Sequence, residues 1–157
     1  MQNEKSVRVL FVCLGNICRS PMAEAVFREI VADAGLQDRI HVESAGTGNW
    51  HTGERPHRGT LELLRRKNID PGNKRAQTLR RSDLEEFDYV IAMDSENVED
   101  IQASFGRRVP RLMDFVNHGA EKDVPDPYYT GEFDKVYEMV LTGGKALLNH
   151  IREQEGL

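Results

Sequence analysis

The chain has 157 residues, of which 39% are hydrophobic and 30% are charged. This length and composition predict a single folded domain, residues 1–157, and favour a packed protein over a disordered one. The formal net charge of −5 argues against a general nucleic-acid binder, because affinity for a phosphate backbone needs a surplus of Lys and Arg on one face.

The first predicted element is a buried strand, Val7 to Val12, whose β-branched and apolar residues end at a turn containing Gly and Asn. Arg8 interrupts this apolar run, which is also too short for a signal sequence or a membrane span. We therefore expect a cytoplasmic protein that does not associate with membranes. A helix follows, with Ser20 as its predicted N-cap and Pro21 in its first turn, and it ends before Gly35.

Three further strands and four further helices are predicted in the rest of the chain. The strands are expected at 40–45, 89–93 and 109–116, and the helices at 56–67, 82–85, 95–105 and 133–152. The last helix is predicted despite Gly143 and Gly144, which lower helix propensity. Strands that alternate with helices indicate right-handed crossovers, hence a mostly parallel sheet covered on both faces, with ligands at the carboxyl ends of the strands.

The loop after the first strand has the residue types of a phosphate site. Backbone N–H groups of a tight loop bind anions, and the N-terminus of the following helix adds positive charge. Arg19 can bind two phosphate oxygens, and the same field favours a nucleophilic thiolate at Cys13. Gly15 allows close approach to a ligand, Asn16 tolerates left-handed backbone, and the Ser20 hydroxyl can donate to the sulfur. The candidate phosphate-binding residues are Leu14, Gly15, Asn16, Ile17, Cys18 and Ser20, between and beside Cys13 and Arg19.

Other interpretations of this loop are less favoured. A lone cysteine that ends a core strand is ordinarily a small buried side chain, but here Arg19 follows six positions later at a helix start. A nucleotide-binding Walker loop would need Gly-Lys-Ser/Thr where this chain has Cys-Arg-Ser. Cys13 and Cys18 are the only two cysteines, which excludes a secreted disulfide framework. Cys18 either bridges an oxidised Cys13 or is an inert loop thiol.

Residues 12–24, Val-Cys-Leu-Gly-Asn-Ile-Cys-Arg-Ser-Pro-Met-Ala-Glu, closely resemble the signature of low-molecular-weight protein tyrosine phosphatases. The resemblance continues at residues 44–47, 48–50, 88–94 and 126–129, so it spans nearly the whole chain. It implies an α/β three-layer sandwich in which helices flank a central four-stranded parallel sheet, with the phosphate loop after the first strand.

The resemblance also implies a general acid at Asp126. This residue would protonate the leaving phenolate and then activate water against a phosphocysteine at Cys13. Pro127 would stiffen the Asp126 loop. An isolated Asp-Pro pair is more typical of a surface turn, and only the phosphate loop elsewhere in the chain favours the catalytic interpretation.

Further site residues follow from the same resemblance. Trp50, Tyr128 and Tyr129 would form the walls of a pocket deep enough for a phosphotyrosine ring, although alone they would be assigned to packing. Ser44 and Asp94 would support the active site. For Asp94, orientation of Arg19 and capping of the next helix are equally consistent with its position at the end of a strand. The five histidines lack metal-ligand spacing, so no metal or other cofactor is expected.

The expected function is hydrolysis of phosphotyrosine in proteins. The expected partners are phosphotyrosine-containing proteins, with a cognate tyrosine kinase as a further candidate, and the oligomeric state is left open. An arsenate reductase would use cysteines beyond Cys18, which this chain lacks. For a protein-arginine phosphatase the resemblance implies threonine at the position of Ile17. A non-catalytic phosphate-binding module is the third alternative, and the joint presence of Cys13, Arg19 and Asp126 argues against it.

Overall fold

Parallel strands alternate with helices in the computed structural model, which describes residues 6–117 and 121–157. The strands are β1 (Val7–Cys13), β2 (Ile40–Gly46) and β3 (Tyr89–Ala92). The helices are α1 (Arg19–Asp33), α2 (Arg58–Arg66), α3 (Arg81–Glu86), α4 (Ser95–Phe105), α5 (Pro127–Thr130) and α6 (Phe133–Glu155), with a 3₁₀ helix at Leu112–Phe115. Within the described ranges, no helix is long and apolar enough to cross a membrane.

The sheet places the end of β1 at its centre. Its strand order is β2-β1-β3, and both pairings are parallel. In the register, Cys13 lies opposite Gly46 of β2, and Val12 lies opposite Ala92 of β3. The chain therefore leaves all three strands at the same edge, where the loops that follow them meet.

Side chains of β1 alternate between two hydrophobic cores, as expected for a strand buried on both faces. Val9 and Phe11 belong to the core that includes residues of α1 and α6, and the Phe11 ring lies 5.4 Å from the Phe27 ring in an edge-on arrangement. Leu10 and Val12 belong to the opposite core, which includes residues of α3 and α4. Helices therefore cover both faces of the parallel sheet, which confirms the predicted layers.

The prediction of a fourth strand at 109–116 is wrong. Among the described residues the sheet has three strands, and this segment contributes one isolated bridge, between Arg111 and Ala92. Pro110 accepts the Ala92 N–H through its carbonyl (2.9 Å) but has no N–H of its own to extend a ladder. The Asp114 carboxylate then accepts the Arg111 N–H at 2.8 Å and caps the 3₁₀ helix that begins at Leu112.

Gly143 and Gly144 do not interrupt α6, because the helix packs tightly at this point. A Cβ atom on Gly143 would lie 2.6 Å from Leu112 Cγ, and one on Gly144 would lie 2.8 Å from Ile30 Cδ1. Close packing against Leu112 thus requires glycine at 143 and offsets its low helix propensity, whereas a Cβ atom at 144 would require the terminal methyl group of Ile30 to move.

The start of α1 differs from the prediction. The helix begins at Arg19, and Cys18 occupies the N-cap position without a side-chain hydrogen bond to the helix. Ser20 is therefore inside the first turn and is not the predicted cap. Its hydroxyl faces Cys13 instead, with 2.9 Å between Ser20 Oγ and Cys13 Sγ.

Candidate active site

The phosphate loop surrounds the sulfur of Cys13 with hydrogen-bond donors. The backbone N–H of Asn16 donates to Cys13 Sγ at 3.3 Å, and the Ser20 hydroxyl lies 2.9 Å from the same atom. Asn16 has a left-handed backbone conformation with φ of 56°, as predicted for this position. Cys13 is only 3% exposed, so these contacts are shielded from bulk solvent.

A buried hydrogen-bond network sets the direction of the Ser20 contact. The Asn16 Nδ2 group donates to Ser20 Oγ at 2.8 Å and to Ser44 Oγ at 3.0 Å. The Asn16 amide is fixed in this orientation because its Oδ1 accepts the Gln77 N–H at 2.9 Å. Because Ser20 Oγ already accepts from Asn16, its own proton is available to the Cys13 sulfur. Ser44 thus contacts the phosphate loop through Asn16, and its supporting role stays a prediction.

The prediction from sequence missed two buried charged residues that contact Ser44, Glu24 and Lys74. Ser44 Oγ donates to Glu24 Oε1 at 2.6 Å, and Lys74 Nζ donates to the Ser44 carbonyl at 2.7 Å. Glu24 and Lys74 lie 3.7 Å apart, with side chains that are 9% and 8% exposed. Burial lowers the pKa of Lys74 below its usual range, although Glu24 opposes the shift. Glu24 lies inside the phosphatase-like motif, but nothing local in the sequence pairs it with Lys74.

The Arg19 guanidinium donates hydrogen bonds to a carboxylate and to a backbone carbonyl. Its Nη1 donates to Asp94 Oδ2 at 2.5 Å and to the Val124 carbonyl at 3.0 Å. Burial alone would lower the pKa of Arg19, but the negative charges of Cys13, Asp94 and Asp126 raise it above its usual range. Arg19 Nε is buried and has no hydrogen-bond partner within the described part of the chain. This N–H is therefore an unused hydrogen-bond donor within the described residues.

Asp94 makes both of the contacts that its position allowed. Its Oδ2 orients Arg19, while its Oδ1 accepts the Asn97 N–H at 2.8 Å and caps α4. One carboxylate at the end of β3 thus joins the cationic side chain to the start of the next helix.

Asp126 contacts the other terminal nitrogen of Arg19. Asp126 Oδ2 is 3.5 Å from Arg19 Nη2, and Oδ1 accepts the Tyr128 N–H at 3.1 Å. Pro127 is the first residue of α5, where a fixed backbone angle and a missing N–H are tolerated. The Asp-Pro pair is therefore both a helix start and a neighbour of the phosphate loop.

A cavity of about 270 Å³ opens above Cys13. It is lined by Cys13, Leu14, Gly15, Ile17, Cys18, Arg19, Trp50, His51, Asp126, Tyr128 and Tyr129. The structure brings the predicted aromatic residues to this cavity, and Trp50, Tyr128 and Tyr129 are 69%, 51% and 76% exposed. They are therefore not core packing residues. Asn16 and Ser20 are buried behind the lining, and His51 is a lining residue that the sequence interpretation missed.

Gly48 determines where Trp50 can lie. A Cβ atom on Gly48 would approach Trp50 Cζ3 to 1.8 Å, so any larger residue would displace the indole ring. The Trp50 side chain thus folds back over its own loop at the rim of the cavity.

Cys18 and Cys13 are both free and buried, but they differ in charge environment. Burial and the negative charges of Cys13 and Asp126 raise the pKa of Cys18 to about 12, so Cys18 is a neutral thiol at pH 7.

Since thiolates are the reactive form, we expect iodoacetamide at pH 7 to alkylate Cys13 much faster than Cys18, with phosphate protecting Cys13. Peptide mapping by mass spectrometry checks this, and preferential labelling of Cys18 would contradict it. The Cys13–Cys18 disulfide stays a prediction.

No metal ligand set accompanies these groups: residues 6–117 and 121–157 contain no cluster of three or more His, Cys, Asp or Glu side chains arranged to hold a metal ion. His118 lies outside the described residues.

Comparisons with known proteins found matches over nearly the whole chain. The family model described as low molecular weight phosphotyrosine protein phosphatase matches residues 8–156. The low molecular weight protein-tyrosine-phosphatase YfkJ of Bacillus subtilis is 47% identical over 155 residues, which cover 96% of this chain and 99% of that protein. The crystal structure of YfkJ superposes with a TM-score of 0.94 at 46% identity, covering 98% of this chain and 99% of the other.

A more distant solved structure bears on specificity. It is a Drosophila arginine phosphatase, 30% identical with a TM-score of 0.83, covering 92% of this chain and 97% of its own. The family match covers the loop from Cys13 to Arg19, the acid at Asp126 and nearly all of the sheet and helices around them. This chain therefore belongs to the low molecular weight phosphotyrosine protein phosphatase family.

Proposed function

We propose that this protein hydrolyses phosphotyrosine in proteins through a phosphocysteine at Cys13. The observation that carries the proposal is the buried Arg19, whose Nε has no hydrogen-bond partner among the described residues. The loop that leads to Arg19 also directs donors at the Cys13 sulfur. A phosphate dianion would satisfy that N–H and the loop amides together, while the resident acids keep the guanidinium in place.

The reaction would have two steps. In the first, the Cys13 thiolate attacks phosphorus, the P–S bond forms, the ester P–O bond breaks, and protonated Asp126 transfers its proton to the leaving phenolate oxygen. In the second, the Asp126 carboxylate takes a proton from water, the water oxygen attacks phosphorus, and sulfur leaves as the thiolate. The contact of Asp126 with Arg19, the proposed phosphate ligand, supports this role.

The aromatic rim favours phosphotyrosine over phosphoserine. Cys13 lies at the bottom of the cavity, whereas Trp50, Tyr128 and Tyr129 are exposed at its rim. A phosphotyrosine side chain is long enough to bring phosphate to the sulfur while its ring contacts these aromatic residues. A phosphoserine side chain is too short to do so without drawing the substrate backbone into the cavity.

The cellular setting is part of the same proposal. A reactive thiolate nucleophile requires a reducing compartment, which supports a cytoplasmic location. The proposed substrates are phosphotyrosine-bearing proteins, with a cognate tyrosine kinase as the enzyme that generates them. The direct test is turnover of phosphotyrosyl, phosphoseryl and phosphoarginyl substrates by the wild-type protein, with Cys13→Ser as the blank. Absence of phosphotyrosine turnover would refute the proposal.

Phosphoarginine is the competing substrate within this family, as the similarity to the Drosophila arginine phosphatase indicates. Ile17 is 6% exposed, lines the cavity and packs with Cys18 and Ala76, so its side chain offers no hydroxyl to orient water. We expect kcat/KM on phosphotyrosyl peptides to exceed that on phosphoarginyl protein by at least about tenfold, or about 1.4 kcal/mol in barrier. Parallel kinetics on both substrates measure the ratio, and equal rates would contradict the assignment.

The matched variant for this measurement is Ile17→Thr. It places a hydroxyl at the same point of the loop, so the phosphotyrosine preference is expected to fall. A ratio unchanged by Ile17→Thr would show that specificity is set elsewhere in the cavity.

A further inference from the structure

His57 lies between the phosphate loop and the Asp126 loop and contacts both sides. Its backbone N–H donates to the Ile17 carbonyl at 2.7 Å, which ties it to the phosphate loop. Its Nδ1 accepts the Gly59 N–H at 2.9 Å, so the side chain also caps α2. Its ring lies edge-on to the Tyr128 ring, with 5.8 Å between centroids. One residue thus joins the loop of the nucleophile to the segment that follows Asp126.

The His57 ring is fixed by a second aromatic contact. It stacks on the Phe133 ring at 5.3 Å with an interplanar angle of 23°. Phe133 reaches this position because Gly59 has no side chain: a Cβ atom there would lie 2.4 Å from Phe133 Cζ. Phe133 thus supports one face of the His57 ring and fixes the orientation of the ring toward Tyr128.

Tyr128 connects this ring to the general acid. Its backbone N–H donates to Asp126 Oδ1 at 3.1 Å, while its ring also contacts Tyr129 and His51. The ring contacts of Tyr128 and its backbone contact with Asp126 thus belong to one residue, so a displacement of the whole residue would move the N–H that contacts the Asp126 carboxylate.

We infer that His57 is a positioning residue whose ring, braced by Phe133, holds the Tyr128–Asp126 segment at the distance from the phosphate loop that proton transfer requires. This inference rests on the proposed function and deepens it. His57 does not line the cavity, so it would act on the reaction only through Tyr128 and Asp126. Small displacements of a general acid cost rate because proton transfer needs hydrogen-bond contact with the leaving oxygen.

The test compares two aryl phosphates with different demands for the acid. p-Nitrophenolate leaves readily, whereas phenolate needs a proton as the P–O bond breaks. His57→Asn keeps an oxygen that can cap α2 but removes the ring. We expect its kcat/KM to fall about tenfold more for phenyl phosphate than for p-nitrophenyl phosphate, a fraction of the full effect of a general acid. Affinity for inorganic phosphate, which the loop and Arg19 bind, should be unchanged.

His57→Phe is the matched control, because it keeps a ring and removes the Nδ1 acceptor. It should melt at a lower temperature yet keep the wild-type ratio between the two substrates. If His57→Asn does not fold, Phe133→Leu removes the brace instead and should show the same selective loss. In a protein that already carries Asp126→Asn, neither His57→Asn nor Phe133→Leu should lower kcat/KM further for phenyl phosphate than for p-nitrophenyl phosphate. The carboxylic acid being positioned is already absent there.

Three outcomes would overturn the inference. The first is an equal fall in kcat/KM for both substrates in His57→Asn. The second is a larger fall for phenyl phosphate in His57→Phe, and the third is a further fall of that kind when His57→Asn is added to Asp126→Asn. Failure of the proposed function is distinguishable, because it is measured as absent turnover of phosphotyrosyl peptides by the wild-type protein, whereas this test compares two aryl phosphates between variants.

Discussion

Replacing Cys13 with serine is expected to reduce turnover of phosphotyrosyl peptides to the background rate while phosphate binding persists. A serine hydroxyl is not ionised at neutral pH, so the loop loses its nucleophile. The Asn16 N–H, the Ser20 hydroxyl and the Arg19 guanidinium are all retained, and these groups account for anion affinity. Steady-state kinetics and calorimetric titration with inorganic phosphate measure the two properties separately.

Cys18→Ala is the matched control for this experiment. It removes the other thiol of the loop, which is neutral at pH 7 and is not the proposed nucleophile. Measurable turnover in Cys18→Ala together with none in Cys13→Ser would assign the nucleophile. Turnover in Cys13→Ser comparable to that of the wild type would contradict the mechanism.

Asp126→Asn is expected to slow hydrolysis of phenyl phosphate by about a hundredfold or more, the usual contribution of a general acid. The asparagine oxygen can still accept the Tyr128 N–H, so the start of α5 should be preserved and the loss should reflect the missing proton. With p-nitrophenyl phosphate the effect on kcat/KM should be smaller, because that leaving group needs less protonation.

The pH profile provides a second measurement on the same variant. If Asp126 must be protonated for the first step, the alkaline limb of kcat/KM for phenyl phosphate should flatten in Asp126→Asn. Equal losses on both substrates with an unchanged profile would assign Asp126 a structural role, and a different acid would have to be sought.

Most of the elements and the centre of the site could be predicted because their signals are local. The apolar run of β1, the thiol at its end and the arginine at the start of α1 are neighbours in sequence. Strand, loop and helix can therefore be predicted without information from the rest of the chain. The left-handed backbone of Asn16 follows from its own side-chain chemistry.

The errors occur where a local signal was outweighed by a longer-range contact. Ser20 has the chemistry of an N-cap, but its hydroxyl contacts Cys13, seven residues earlier, and the helix begins one residue before it. The apolar segment 109–116 has the composition of a strand, but it forms only one bridge to β3, at Arg111. A 3₁₀ helix capped by the contact of Asp114 with Arg111 follows directly. Propensity alone does not distinguish a strand from a single bridge.

By itself the sequence determined the order of β1, β2, β3 and the longer helices, the parallel sheet and the chemistry of the residues at the end of β1, since hydrophobic periodicity and turn residues act over a few positions. Only the tertiary structure decided which groups hold those residues in place. Arg19 is oriented by Asp94 and the Val124 carbonyl, 75 and 105 positions away. Glu24 is paired with Lys74, and His57 is placed against Tyr128. Such partners meet because the crossovers return the ends of parallel strands to one edge, and no local pattern records which side chains that edge brings together.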